Sequence, residues 1–387
     1  MRIGHYAPHI WAPGGIATYV RRLGDAQADR GHTVFYLSRT AADAEASPPA
    51  RIVDSDAALF QKADELELDI LHLHKSVSTL PARRVPTIRT MHGHQGSCPS
   101  ASRYLARSGT PCDRIPNLGG CLVGHLWDRC GSARPSQIAD NFSRLRHEID
   151  FASQVHTLPV SDYLRDRMIE AGCAPDQLTT VHSAAPSIPA PTPLPKTTAP
   201  RFLFLGRLAP EKGILWLLRA FARACEDPSF NGFLDIAGTG DLEEDARQYV
   251  NTQELGHRIT FHGWVSPDEL PTLMQRAWAV VFPSLWHEPA GLVSLEAAAH
   301  GRALIASRVG GIPEYTTDES ALLVPPNNIP ELARAITTLA ADPSQASRLG
   351  RGGRRLATEQ FGMPAFLDRL DTLYASIAGL SSVSVTA

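Results

Sequence analysis

AVVFPSLWHEPAGLVSLEAAAHGRALIASRVGG, running from Ala279 to Gly311, reads as strand, loop, helix and strand in succession. Ala279–Phe282 is a short apolar run halted by Pro283-Ser284. Gly291 then opens an Ala-rich helical stretch that Gly301 ends, and Ala303–Ala306 is a second apolar run before the Gly-rich turn SRVGGIPE. Short runs that are apolar throughout, separated by a helix, predict parallel strands covered on both faces. The connection after the first run would then lie at a carboxyl strand end, where open α/β sheets take their ligands. The helix start adds free N–H groups and a positive dipole end, a seat for phosphate oxygens. Glu288 lies just before that start. Glu296 lies about a turn and a half inside, where a carboxylate can accept hydrogen bonds from paired ribose hydroxyls; taken alone it reads equally as an exposed helix residue.

The same grammar extends in both directions. In the second half, further strands are expected at Phe202–Leu205, Phe233–Ala237, Ile259–His262 and Leu322–Val324. In the first half they are expected at Ile3–Ala7, Val34–Leu37, Asp69–His72, Thr87–Met91, Val155–Val160 and Thr179–His182. Pro13-Gly14-Gly15 makes a turn after the first strand, and Ile16, Tyr19, Val20 and Leu23 then recur at helical spacing toward Gly31. Ala184–Pro200 holds six prolines and little periodicity, the mark of a linker. The expected organisation is a first α/β domain over 1–185, a linker over 186–200 and a second α/β domain over 201–362, facing each other across a cleft. Residues 363–387 would form a final helix and tail, with Met363–Ile377 free to pack on either domain.

A chain of 387 residues suits two such domains. With 43% hydrophobic and 20% charged residues it is neither disordered nor a membrane bundle, and no apolar run approaches the ~18 residues of a spanning helix. A net charge of −3 argues against a general nucleic-acid binder. MRIGHYAPHIW lacks the pattern of a secretory signal, so a cytoplasmic setting is expected.

Of 37 basic residues only Lys62, Lys75, Lys196 and Lys212 are lysines. Lys212 therefore stands out in LGRLAPEKG, directly after the first strand of the second domain. An Arg207 fork and a Lys212 point charge there could grip a diphosphate from two sides; two solvated loop charges are the plainer reading.

Taken together, EPAGLVSLE, GRLAPEKG and GGIPE resemble the retaining GT-B glycosyltransferases of family 4, also called glycosyltransferase group 1. PGGIATYVRRLGDAQADRGHTV, the MHG of Met91–Gly93, VSDYLRDRMIEAG, GTGDLEED, FHGWVSPDEL and VVFPS match further blocks of that family in order. The resemblance implies two Rossmann-like domains and transfer of a sugar from a UDP-, GDP- or ADP-linked donor to an acceptor hydroxyl. Retention of configuration and catalysis without a metal cofactor are implied with it. By position, Arg207 and Lys212 would neutralise the departing diphosphate. Gly291 and Leu292 would hold a phosphate through backbone groups, Glu296 the ribose and Glu288 the donor-sugar hydroxyls. His92 would approach the sugar from the other domain, and Gly14 and Gly15 would let their loop close over the diphosphate. One departure is the stretch His182–Pro186, HSAAP, where many relatives carry an Asn-Gly-Val-Asp-like turn.

An insertion at about 94–140 is outside the family pattern. It holds Cys98, Cys112, Cys121 and Cys130, which suit a structural zinc or other metal site, free thiols or disulfides. From Arg83 to Arg146 there are ten arginines, three aspartates and no lysine, which suits an anionic or lipid-linked acceptor, with a solvated face as the plainer reading. Leu126 and Trp127 are read either as buried packing or as a peripheral contact with the inner face of a membrane. Two rivals to glycosyl transfer remain: a non-catalytic nucleotide-sugar-binding protein, and a nucleotide-sugar epimerase on the same fold.

Overall fold

The computed structural model describes residues 1–12, 14–40, 50–197 and 199–379. Pro13 of the Gly-rich turn, Thr198 of the linker and residues 380–387 of the expected tail lie outside the described residues. Two compact units emerge. One comprises Met1–Ala101, Asp140–His182 and the helix from Met363; the other comprises Ser102–Ala139 and Ser183–Gly362.

In chain order the strands are β1 (Arg2–Tyr6), β2 (Thr33–Ser38), β3 (Arg51–Ile52), β4 (Ile70–Leu73), β5 (Thr87–Met91), β6 (Tyr104–Leu105), β7 (Thr110–Pro111), β8 (His156–Pro159), β9 (Arg201–Leu205), β10 (Phe233–Ala237), β11 (Ile259–Gly263), β12 (Ala279–Phe282), β13 (Ala303–Ser307) and β14 (Ala321–Val324). The first unit's sheet runs β3-β2-β1-β4-β5-β8 and the second unit's runs β11-β10-β9-β12-β13-β14. Among the described residues every pairing in both is parallel, and only the β6–β7 hairpin is antiparallel.

The second sheet shows why wholly apolar strands signalled this arrangement. Phe202, Phe204, Val281 and Ile305 face a core completed by the helix Ile214–Ala224, with Trp216, Leu217 and Phe221 buried. Their neighbours Leu203, Val280, Phe282 and Leu304 face a second core with Leu273 and Met274. With both faces covered, polar residues have no solvent side to occupy, and the alternation of a one-sided sheet disappears.

In each sheet the strand order reverses about one pair, β1/β4 in the first and β9/β12 in the second. Crossover helices leave opposite faces there, opening a crevice at the carboxyl strand ends.

Three expectations change. Thr179–His182 is not a strand: it runs extended beside β8, with Thr179 N–H donating to Thr157 O at 3.1 Å and Val181 N–H to Pro159 O at 3.0 Å. In its place at the other edge is β3, two exposed residues with no apolar run to announce them. Finally, Ser102–Ala139 groups with the second unit and not the first. Tyr104, on β6, is buried in the second sheet's core and draws the insertion there. The Met363–Ile377 helix groups with the first unit, where Phe366, Leu367, Leu370 and Tyr374 are buried and Asp371 meets Arg30 at 3.0 Å.

Candidate functional site

The loops after β9 and β12 carry the second unit's polar cluster. Lys212 Nζ lies 2.7 Å from Glu288 Oε1, and Ser284 Oγ donates to the same oxygen at 2.8 Å. Glu288 is buried, 6% exposed, so its charge depends on these partners. Lys212 Nζ also sits 4.8 Å from the centre of the Trp286 ring, whose face favours a cation. The sequence pointed to Lys212 and Glu288 separately; the structure joins them, gives the Ser284 of VVFPS a contact no reading had assigned it, and adds Trp286.

Glycine backbone geometry holds the two loops together. Gly213 adopts φ 73°, and a Cβ there would stand 1.8 Å from Pro283 O. Leu285 N–H donates to Glu211 O at 2.8 Å, closing the two loops on each other. On the far side Gly310, at φ 56°, leaves room for Glu288: a Cβ would meet the Glu288 backbone at 2.3 Å. Gly311 N–H donates to Glu288 O at 2.7 Å. Both glycines meet positive φ and close backbone approach together, a combination no other residue satisfies.

Arg207 has a different setting from Lys212. Its side chain is 68% exposed and pairs with Glu211 at 2.7 Å, an arrangement worth little in water and readily exchanged for a stronger anion. Gly291 caps the helix Leu292–Ala299 in a left-handed conformation at φ 72°; Leu292 is exposed at the first turn and Glu296 half-buried in the second. Arg207, Lys212, Glu288, Gly291, Leu292 and Glu296 thus all belong to the carboxyl-end loops of the second sheet or the helix that follows.

The insertion reaches this region. His287 accepts from Gly310 N–H through Nδ1 at 3.1 Å, while its Nε2 lies 2.8 Å from Asp113 Oδ1. Cys98, Cys112, Cys121 and Cys130 are not joined in disulfides in the structure, so the disulfide reading does not hold. Among the described residues, Cys112, Cys121 and Cys130 do not bring three sulfurs within 4.8 Å of one another.

In the first unit, Gly14 and Gly15 sit exposed at the start of the helix Gly15–Asp29, with open space where a Cβ would stand. His92 follows β5; its Nε2 is 3.0 Å from His74 Nδ1 and Tyr19 meets its ring edge-on. Burial pushes the His92 imidazole down to about 3, so it is neutral at physiological pH. Its neighbours were missed: His5 and His72 sit on strands read only for their apolar content, and His74 directly follows the second of them.

Residues 13–185 match the family described as Glycosyltransferase Family 4, and residues 190–356 match Glycosyl transferases group 1. Alpha-D-kanosaminyltransferase of Streptomyces kanamyceticus is 30% identical over 179 residues, 46% of either chain. Glycogen synthase of Mycobacterium tuberculosis is 34% identical over 172 residues, 43% of this chain and 40% of that one. The matches thus span about half the length of these curated relatives. Among solved structures, sucrose-phosphate synthase from Thermosynechococcus elongatus superposes with a TM-score of 0.74 at 22% identity, covering 98% of this chain and all of that one. Anabaena HepE in complex with UDP and glucose gives 0.74 at 17% identity, over 97% of this chain and all of that one. The two parallel sheets are those of the GT-B fold, and the chain belongs to the group 1 glycosyltransferases.

Proposed function

We propose that the chain transfers a glycosyl group from a nucleoside-diphosphate sugar to an acceptor hydroxyl, with retention of configuration. The Lys212–Glu288–Ser284 cluster at the second sheet's switch point carries this reading. Both bonds to Glu288 fall on Oε1, leaving Oε2 to accept sugar hydroxyls. Lys212 and Arg207 supply fixed and exchangeable positive charge to a departing diphosphate, and the N–H groups of Gly291 and Leu292 offer it a helix start. Glu296 holds the ribose. A basic leaving phosphate oxygen then takes the acceptor proton on the face from which the diphosphate leaves, so no metal is needed. That HepE was solved with UDP and glucose supports a donor of this chemical class.

The test is a panel of UDP-, GDP- and ADP-sugars, scored first by thermal stabilisation and then by donor loss with candidate acceptors, with chelator present. One donor class should stabilise the protein and turn over, giving a product with the donor's anomeric configuration. Stabilisation without turnover would favour a non-catalytic binder, C4 inversion of the free donor an epimerase, and an inverted product would refute retention.

We further propose a lipid-linked acceptor met at an anionic membrane surface. No helix among the described residues is long and apolar enough to cross a membrane. However, the helix Leu118–Leu126 exposes Leu118 (65%), Val123 (51%) and Leu126 (61%), continued by Trp127 (61%). An apolar stripe of this kind is unusual on a soluble surface. Arg107 stacks 4.0 Å over the Trp127 ring, and Arg129 and Arg134 are exposed, whereas Asp113 and Asp128 are engaged by His287 and Arg114. Arg107, Arg129 and Arg134 thus place positive charge beside the stripe, as an anionic headgroup layer requires. Co-sedimentation should be several-fold greater with phosphatidylglycerol-containing vesicles than with phosphatidylcholine alone, and should be lost in Leu126→Ser/Trp127→Ser. Equal sedimentation of that variant would exclude the surface.

A further inference from the structure

The first unit buries a chain of histidines that the proposed transfer leaves unused. His5 on β1, His72 on β4 and His74 just after β4 are fully or almost fully buried, and their ligand nitrogens lie within 4.8 Å of one another. Every ring nitrogen of the three is within hydrogen-bond distance of a named partner, so the cluster is a bonded chain and not an open ligand set.

The direction of that chain follows from its closed end. Gln27 Oε1 lies 2.6 Å from His5 Nε2. A carbonyl oxygen only accepts, so His5 carries its hydrogen on Nε2. Burial lowers His5 to about 4 and His92 to about 3, and lowers His72 and His74 as well, so each ring is neutral with a single N–H. His5 Nδ1 must then accept, and the hydrogen in its 3.1 Å contact belongs to His74 Nε2. His74 Nδ1 in turn accepts from His92 Nε2 at 3.0 Å. His92 is left with a bare Nδ1.

The other half of the Gln27 amide agrees. Its Nε2 donates to the Tyr374 hydroxyl at 3.3 Å, that hydroxyl donates to His72 Nδ1 at 2.6 Å, and His72 Nε2 donates to Thr90 Oγ1 at 2.7 Å. Turning the amide over would reverse both arms and put the His92 hydrogen on Nδ1.

We propose that Gln27 is a positioning residue which, through His5 and His74, fixes His92 in its Nε2–H tautomer and presents Nδ1 as an acceptor. No proton moves along the chain; its work is to decide which nitrogen is bare. On the reading of His92 as a sugar contact, that nitrogen accepts from a donor-sugar hydroxyl, whereas the reversed tautomer could only donate there. The use of the tautomer rests on the proposed donor site; the tautomer itself does not.

Long-range hydrogen–nitrogen correlation spectra of the ligand-free, histidine-labelled protein at neutral pH test this, with His92 assigned by its loss in His92→Gln. His5, His74 and His92 should each show a protonated Nε2 and an unprotonated Nδ1. In Gln27→Met, which keeps the length and removes the acceptor, the two His92 nitrogen shifts should move toward each other as both tautomers become populated. A His92 hydrogen on Nδ1 in the unaltered protein would overturn the proposal, as would an unchanged His92 pattern in folded Gln27→Met. If that variant does not fold, the unaltered protein still decides, because the reversed chain predicts the opposite nitrogen at three histidines. No donor is present, so failure of the sugar-nucleotide panel and failure of this assignment are separate results.

Discussion

Lys212→Ala is expected to lower kcat by about 100- to 1000-fold, the usual consequence of removing one fixed group that stabilises developing charge. On the proposed site the loss has two parts. The diphosphate forfeits a cation held in place by Glu288 at 2.7 Å and the Trp286 ring, and Glu288, buried, forfeits the ion that compensates it. Glu288→Gln should separate them. The amide keeps a hydrogen bond to Ser284 and frees Lys212, so its main loss is in sugar contact. Because the two residues act as a unit, Lys212→Ala/Glu288→Gln should fall well short of the product of the single effects. Steady-state kinetics with the donor identified by the panel measure all three, and full activity in either single variant would remove the site assignment.

The largest expected effect on stability lies in the first unit. Arg89 Nη1 meets Glu148 Oε2 at 2.6 Å with side-chain exposures of 1% and 7%, and Ser76 Oγ donates to the other carboxylate oxygen at 2.5 Å. The Arg89 guanidinium also stacks 4.8 Å over the Phe151 ring. Burial lowers the Arg89 pKa against the pull of Glu148, so the ion pair is what keeps a charge at this depth tolerable. Glu148→Ala strands that charge and should cost about 3–5 kcal/mol. Arg89→Met/Glu148→Leu should restore most of it, since an apolar pair of similar volume needs no compensation. Denaturant melts of the three variants decide, and a loss below ~1 kcal/mol for Glu148→Ala would mean that water reaches the pair.

The sequence disclosed what periodicity and glycine placement encode. Buried parallel strands such as Ala279–Phe282 are continuous apolar runs, and Gly213, Gly291 and Gly310 sit where backbones cross at positive φ. Less was legible where meaning depends on distant partners. Nothing near Tyr104 says that it belongs to the second unit's core, because that core is assembled almost a hundred residues later. His72 lies in a strand that otherwise reads as apolar and His74 directly follows it, and only pairing with β1 and β5 brings them to His5, Thr90 and His92. Trp127 illustrates the reverse case: an aromatic in a Leu-rich helix looks like core, yet it is 61% exposed.

The buried histidines also change how kinetic data on this enzyme family member should be read. A histidine in a reaction centre is usually sought as an inflection near its ordinary value of about 6.5. Here burial has moved His92 to about 3 and His5 to about 4, outside the range in which turnover is ordinarily followed. On the reading of His92 as a sugar contact, an intact histidine chain would therefore leave the rate level across neutral and mildly acidic conditions.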